Sequence, residues 1–388
     1  MHRLGVFISL LVALLTTGCQ AAPLPLTPAA SPNPATPAVP SEILPLATPT
    51  ILPTLAITHN PTLQSTPSAT PQPVFVPINI QNVGQLLEIA VLDFGPWSQI
   101  LSLEWAPDGS FLAVSAGDKI ILVEPHTWSV AAQVDLAPAA AGLAFSPDSR
   151  YLAAAHRDGS LTIWEIGLEN RAQLSTVFTV EAHRKGTNQV AFSPDGLWLA
   201  SGGNDGLARV WQVQDGEIIA QIIGGSYAVA DLAFSPDGAW LAIVNGNLIR
   251  LRKPDSGIMG LTLQAQEPIY RLAYSPDGRW LAGGDTANRV LLWEIGEDVS
   301  GRVAGEHAGQ PGRVNALIWQ VEFHPQGDLL VSAGGDGAVR LWDLNSNQPL
   351  MVLAGHGGAA TSATFSPDGL WLASGDLDGR LCIWGVQD

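Results

Sequence analysis

Two cysteines, Cys19 and Cys382, are all that the 388 residues contain, so no disulfide framework can hold the fold. Basic residues are also scarce: 18 Lys and Arg stand against 35 Asp and Glu, a formal net charge of −17. No basic run is longer than Arg184-Lys185. Phosphate backbones would be repelled by such a surface, which argues against a nucleic-acid partner. The signatures of common chemistries are missing as well: no His-Glu-x-x-His metal pair, no Gly-x-Ser-x-Gly elbow and no Gly-Lys-Ser/Thr phosphate loop. The longest apolar run, Leu4 to Leu15, is too short to span a bilayer. These absences point away from a disulfide scaffold, a nucleic-acid binder, the commonest enzyme classes and a helical membrane protein.

What the chain has is repetition. A phrase close to Phe-Ser-Pro-Asp-Gly recurs seven times, with prolines at 107, 147, 194, 236, 276, 325 and 367, spaced by 40, 47, 42, 40, 49 and 42 residues. A period of about 40–45 residues is that of a β-propeller whose blades have four strands. One such sheet cannot bury both faces alone, so neighbours must stack. Within the third unit, Val190 and Phe192 alternate into Ser193-Pro194-Asp195-Gly196. A second turn falls at Asn204-Asp205-Gly206, a third strand ends at Trp211, and Ile218 to Ile223 forms an outer strand. The inner strands carry Ala144, Ala191, Ala233 and Ala273 where sheets converge on an axis, and Glu104, Glu322 and Thr364 break that rule by facing channel water.

Upstream the composition changes. Between Gln20 and Pro77 lie 15 prolines, and Glu42 is the only Asp, Glu, Lys or Arg. Such a tract lacks the apolar surface for a core, and as an extended stalk it could reach on the order of 150 Å. The run Leu4 to Leu15 after Arg3 has the layout of a secretory signal, and Thr16-Thr17-Gly18-Cys19 resembles the lipobox of bacterial lipoproteins, with Thr16 where that family most often has Leu. The resemblance implies removal of residues 1–18 and lipid on Cys19. The alternative is an ordinary signal peptide with an incidental cysteine. Cys382 then has no partner within the chain and reads as a small buried hydrophobe. The expected layout is a signal over 1–18, a Pro/Thr-rich linker over 19–80 and a propeller over 81–388.

The repeat resembles the WD-repeat β-propeller family. In that family a His, a Ser or Thr, a turn Asp and a Trp form a hydrogen-bonded structural tetrad. The resemblance carries that role to His183, Ser201, Asp205 and Trp211 in blade three, to His307, Ser332, Asp336 and Trp342 in blade six, and to His356, Ser374, Asp378 and Trp384 in blade seven. Ser, His and Asp together also suggest a hydrolase triad. Three copies with Ser to Asp at four residues and Ser to Trp at ten favour architecture, since a catalytic triad is normally single. Blade two has Ala154 for Ser, blade five has Gly283 and Ala287, and blades one and four place Val123 and Arg252 where Trp would sit.

The last unit stops before an outer strand, and residues 85–92 resemble one, so they are expected to close the ring by pairing with blade seven. Family members commonly bind proteins on one face. The candidates for that face are Trp97, Arg184, Lys185, Tyr227, Tyr270, Arg313 and Trp319, the last two in a seven-residue excess between His307 and Pro325. The expected fold is therefore an all-β, seven-bladed propeller of four-stranded antiparallel blades behind a disordered N-terminal region. The expected function is a membrane-anchored, non-enzymatic scaffold of the bacterial cell envelope that binds a protein or peptide, with no cofactor, metal or nucleic acid. The alternative is a propeller enzyme or small-ligand protein using the central channel.

Overall fold

The computed structural model describes residues 73–136, 139–167, 173–296, 301–307, 317–346 and 348–388. Over these the chain is all-β, apart from one 3-10 turn at Val83–Gln85. Seven antiparallel sheets span 100–135, 140–181, 187–223, 229–264, 269–306, 318–354 and 360–387, each entered by its inner strand. The expected seven-bladed propeller is the fold observed.

The Ser-Pro-Asp-Gly phrase makes the turn from the inner to the second strand. In blade three the Ser193 hydroxyl donates to Asp195 Oδ1 at 2.5 Å and accepts the Trp198 amide at 2.9 Å. Gly196 then takes a left-handed φ of 72° that a side chain would resist. Register follows from these turns: Leu199 faces Trp211 across the second and third strands. Trp211 in turn faces Ile218 across a bulge in the outer pair.

Among the described residues there is no single core. Buried side chains fall into seven slabs, each between two adjacent blades. Between blades two and three, Leu161 and Ile163 meet Val190, Leu199 and Trp211. Between blades seven and one, Leu381 and Ile383 meet Ile100, Leu103 and Leu112, so the joint that closes the ring is packed like the others. Fully burying one such aliphatic side chain is worth about 1.5–3 kcal/mol.

Closure uses more of the chain than residues 85–92. The strand Leu87–Asp93 pairs with the last strand, Arg380–Gln387, from Leu87 opposite Gly385 to Asp93 opposite Arg380. A short strand, Phe75–Val76, continues along the same edge opposite Val386 and Gln387. Between them Ile78, Val83 and Leu86 are buried against blades six and seven, and the Ile78 amide donates to Gly369 O at 2.8 Å. Residues 74–80, which composition assigns to the linker, are thus part of the propeller wall.

Candidate functional site

The loops that join an outer strand to the next inner strand share a face with the turns between second and third strands. Close backbone approach holds them together. At Gly206, with φ of 80°, an added Cβ would sit 2.9 Å from Gly225 O and 3.0 Å from Tyr227 O. At Gly379, with φ of 86°, it would strike the Gly95 carbonyl oxygen. Glycine at both turns therefore lets the connection lie directly on the blade. We call this the upper face.

The candidate residues separate into two groups. Trp97 and Tyr227 stand on upper-face connections and are 91% and 60% exposed, and Arg184 and Lys185 are exposed on a third connection. Tyr270 and Trp319 are not loop residues: they lie on the inner strands Ile269–Tyr274 and Ile318–Phe323 and are half-buried at the channel mouth. Their rings meet edge-on at 5.3 Å, and the Arg271 guanidinium lies 4.7 Å over Tyr270. The placement of Trp319 in the His307–Pro325 excess is therefore corrected: it is the second residue of the inner strand of blade six. Arg313 lies outside the described residues, as does Cys19.

In blade six the polar residues form one chain. Trp342 Nε1 donates to Ser332 Oγ at 2.8 Å, the Ser332 hydroxyl meets His307 Nε2 at 2.7 Å, and His307 Nδ1 meets Asp336 Oδ1 at 3.0 Å. Arg340 donates to Asp336 Oδ2 at 2.7 Å. Blade three repeats this with Trp211 to Ser201 at 2.9 Å, Ser201 to His183 at 2.9 Å and His183 to Asp205 at 2.8 Å. Burial, opposed by the Asp partner, holds the His183 and His307 imidazoles below their ordinary pKa. A neutral ring can then take the Ser proton at Nε2 and donate from Nδ1. Ser201 and Ser332 are completely buried, and each already accepts an indole N–H. A nucleophile needs access to substrate, so these groups act as struts between strands.

Blade seven differs from expectation. His356 Nδ1 meets Asp376 Oδ2 at 3.0 Å, so Asp376, not Asp378, completes the set with Ser374 and Trp384. Asp376 occupies the place of Gly203 in blade three, where an added Cβ would collide with the His183 ring. The carboxylate can thus come from either side of the turn, and taking it from the later position, as blades three and six do, requires glycine at the earlier one, Gly203 and Gly334. Blade five also uses the earlier position: Asp285, fully buried, pairs with Arg289 at 2.6 Å. An Asp four residues before an Arg recurs in blades three, five, six and seven, and that spacing distinguishes Asp376 from Asp378 in the sequence.

The model of the "WD domain, G-beta repeat" matches residues 89–123, 139–165, 174–212, 259–294, 307–343 and 347–385, more than half of the chain. The chain belongs to the WD-repeat family. Proteins of this family generally act as protein-interaction scaffolds. Small ribosomal subunit protein RACK1 of Caenorhabditis elegans is 33% identical over 99 residues, covering 26% of this chain and 28% of its own. Transducin beta-like protein 3 of Bos taurus is 34% identical over 110 residues, 27% of this chain and 13% of its own. Periodic tryptophan protein 2 homolog of Schizosaccharomyces pombe is 30% identical over 107 residues, 28% of this chain and 12% of its own. The matched stretches thus span between 12% and 28% of these relatives. Each matched WD repeat that starts with an outer strand takes it from the preceding blade, as 89–123 does with the closing strand. Residues 213–258, which hold most of blade four, are unmatched, and there Asn245 donates to Ala228 O at 3.2 Å in place of the His-Asp contact.

In the WD propeller's channel, Glu104 and Glu322 sit on the inner strands of blades one and six, with Thr364 of blade seven between those blades. Glu322 is not simply a water-facing carboxylate: Oε1 accepts the Thr364 hydroxyl and the Phe365 amide, each at 3.0 Å, and so clips blade six to blade seven. Enclosure by protein raises its pKa to about 7, although those two donors oppose the rise. Enclosure, followed by repulsion from Glu322, raises Glu104 well above the carboxylate range. Both keep some contact with channel water, which moderates the energetic consequence. A carboxyl whose folded pKa exceeds its unfolded value near 4.5 weakens the fold as it ionises, so stability falls as pH rises from about 4.5 through 7. Glu322→Gln keeps an acceptor oxygen and removes the charge. It should raise stability by about 2 kcal/mol at pH 8 and leave it unchanged at pH 4.5, read by thermal melts at both pH values.

Proposed function

We propose that this WD-repeat protein is an exported, lipid-anchored, non-enzymatic scaffold that engages a protein or peptide partner through its upper face. The observation that carries the reading is the exposure of Trp97 and Tyr227 on connections held by close backbone contacts. Rigid scaffolds present binding loops in this way, and aromatic anchors on them are favoured contact points. The anchor rests on Thr16-Thr17-Gly18-Cys19 after the apolar run, and the 15 prolines between Gln20 and Pro77 suit a spacer between membrane and propeller. In this layout the signal is 1–18, Cys19 carries lipid, the linker runs to about residue 73, and the propeller follows on the outer side of the membrane or in the periplasm. The formal charge of −17 favours a partner other than nucleic acid.

The test uses the full chain in the envelope of its own organism. Photo-cross-linking residues placed at positions 97 and 227 should trap a discrete partner, and one at Asp255, an exposed turn residue of blade four, should not. In parallel, Cys19→Ala should move the protein from the detergent phase to the aqueous phase. Equal cross-linking from all three positions contradicts the upper-face reading. Unchanged partition of the Cys19 variant contradicts the anchor. A second reading, ligand binding in the channel, is favoured by Glu104 and Glu322, and it requires a small molecule that protects the propeller from heat and loses that effect in Glu104→Gln.

A further inference from the structure

Beside Trp97 the upper face opens into a cleft of about 390 Å³ at the junction of blades one and two. Besides Trp97, its walls include Ser98, Gln99, Asp118 and Arg157. The connection that carries Trp97 is fixed at both ends. The Phe94 amide donates to Gly379 O of blade seven at 2.9 Å, and the Gly117 amide of blade one donates to Gln99 O at 3.0 Å. Within it the Ser98 amide and hydroxyl cap Gly95 O and Phe94 O at 3.0 Å and 2.8 Å. Gly117 itself leaves just enough room: a Cβ there would come within 3.1 Å of Trp97 O.

The indole is thus the most exposed large apolar side chain of the described residues, carried on a connection hydrogen-bonded to blades seven and one. Its face offers a surface for a flat or aliphatic group; the exposed Asp118 carboxylate offers a negative charge on the blade-one wall of the cleft, and the exposed Arg157 a positive one on the blade-two wall. Aromatic face and carboxylate together suit a cation, since the ring quadrupole and the anion attract the same sign. The acidity of the whole chain, −17, would steer a basic segment toward it.

We propose that this cleft seats the side chain of an Arg or Lys residue in a peptide segment of the partner. Its stem or guanidinium lies on Trp97 and its head reaches Asp118. Ser98, Gln99 and Arg157 supply polar contacts to the carbonyl groups of the same segment. This assignment rests on the protein-interaction reading above and narrows it to one side-chain chemistry at one blade junction.

The test follows the Trp97 indole N–H signal of the purified protein by NMR, assigned by its loss in Trp97→Phe. The probes are two blocked pentapeptides, Ala-Ala-Arg-Ala-Ala and Ala-Ala-Glu-Ala-Ala. The Arg peptide should move that signal saturably and the Glu peptide should not. Asp118→Asn should weaken the Arg peptide roughly fivefold, and Asp255→Asn, an exposed acid in another blade, should leave it unchanged. Because Trp97 and Asp118 are both exposed, these variants keep the fold, which a thermal melt verifies. An unmoved indole signal, an equal response to the Glu peptide, or equal weakening by Asp255→Asn overturns the proposal. Cross-linking of a partner from positions 97 and 227 would survive that failure, so the interaction reading and this assignment fall separately.

Discussion

Deleting residues 73–93 should lower the thermal midpoint by ~10 °C or more, far beyond the effect of trimming a surface tail. The deletion removes Ile78, Val83 and Leu86 from the slab between blades six and seven, and at about 1.5–3 kcal/mol for each side chain the loss is on the order of 5 kcal/mol. It also strips the partner from Arg380–Gln387, leaving a bare edge along the last strand. A single change separates the two effects. Ile78 is fully buried although it lies among residues whose composition matches a linker. Ile78→Ala should cost about 2–5 kcal/mol without touching a strand pairing. Melts of the deletion and of Ile78→Ala, read by circular dichroism, decide it; a midpoint within 2 °C of the intact chain in either case would show the strap to be dispensable.

The second large effect is expected at Trp342, which is 1% exposed and packs in the slab between blades five and six. Trp342→Ala should cost about 3–5 kcal/mol, because it opens a cavity among Leu292, Ile318 and Leu330 and leaves Ser332 without its donor. Trp342→Phe refills most of the cavity but not the hydrogen bond, so it should cost about 1–3 kcal/mol. Trp97→Ala provides the contrast: 91% exposed, it should change stability by less than about 0.5 kcal/mol. Denaturant midpoints of the three variants test the ranking. Equal losses at Trp97 and Trp342 would contradict the division between binding aromatics and structural ones.

Much of this was legible because a propeller repeats its physics. Each Ser-Pro-Asp-Gly turn needs the same hydroxyl, carboxylate and left-handed glycine, so the period survives in the sequence even where strands vary. The residues that escaped depend on the ring. Val74 to Ile80 continue directly from the Pro-rich tract and are counted with it, and only the proximity of blades six and seven turns Ile78 into core. Counting from His307 puts Trp319 in the loop excess, because the count is blind to where the inner strand of blade six begins. Glu322 and Thr364 were both visible as exceptions among small inner residues, but their mutual bond arises because blades six and seven are neighbours. Asp376 was hidden by Asp378, since Ser-to-Asp spacing alone does not record on which side of the turn the His sits.

Leu87–Asp93 completes blade seven and so seals the ring. Amide hydrogen exchange of the full-length protein reads this closure strand by strand. Paired amides of residues 87–93 should be protected to the level of Trp371–Asp376, the second strand of the same blade. Exchange of 87–93 at the rate of an open chain, while 371–376 stays protected, would contradict the claim.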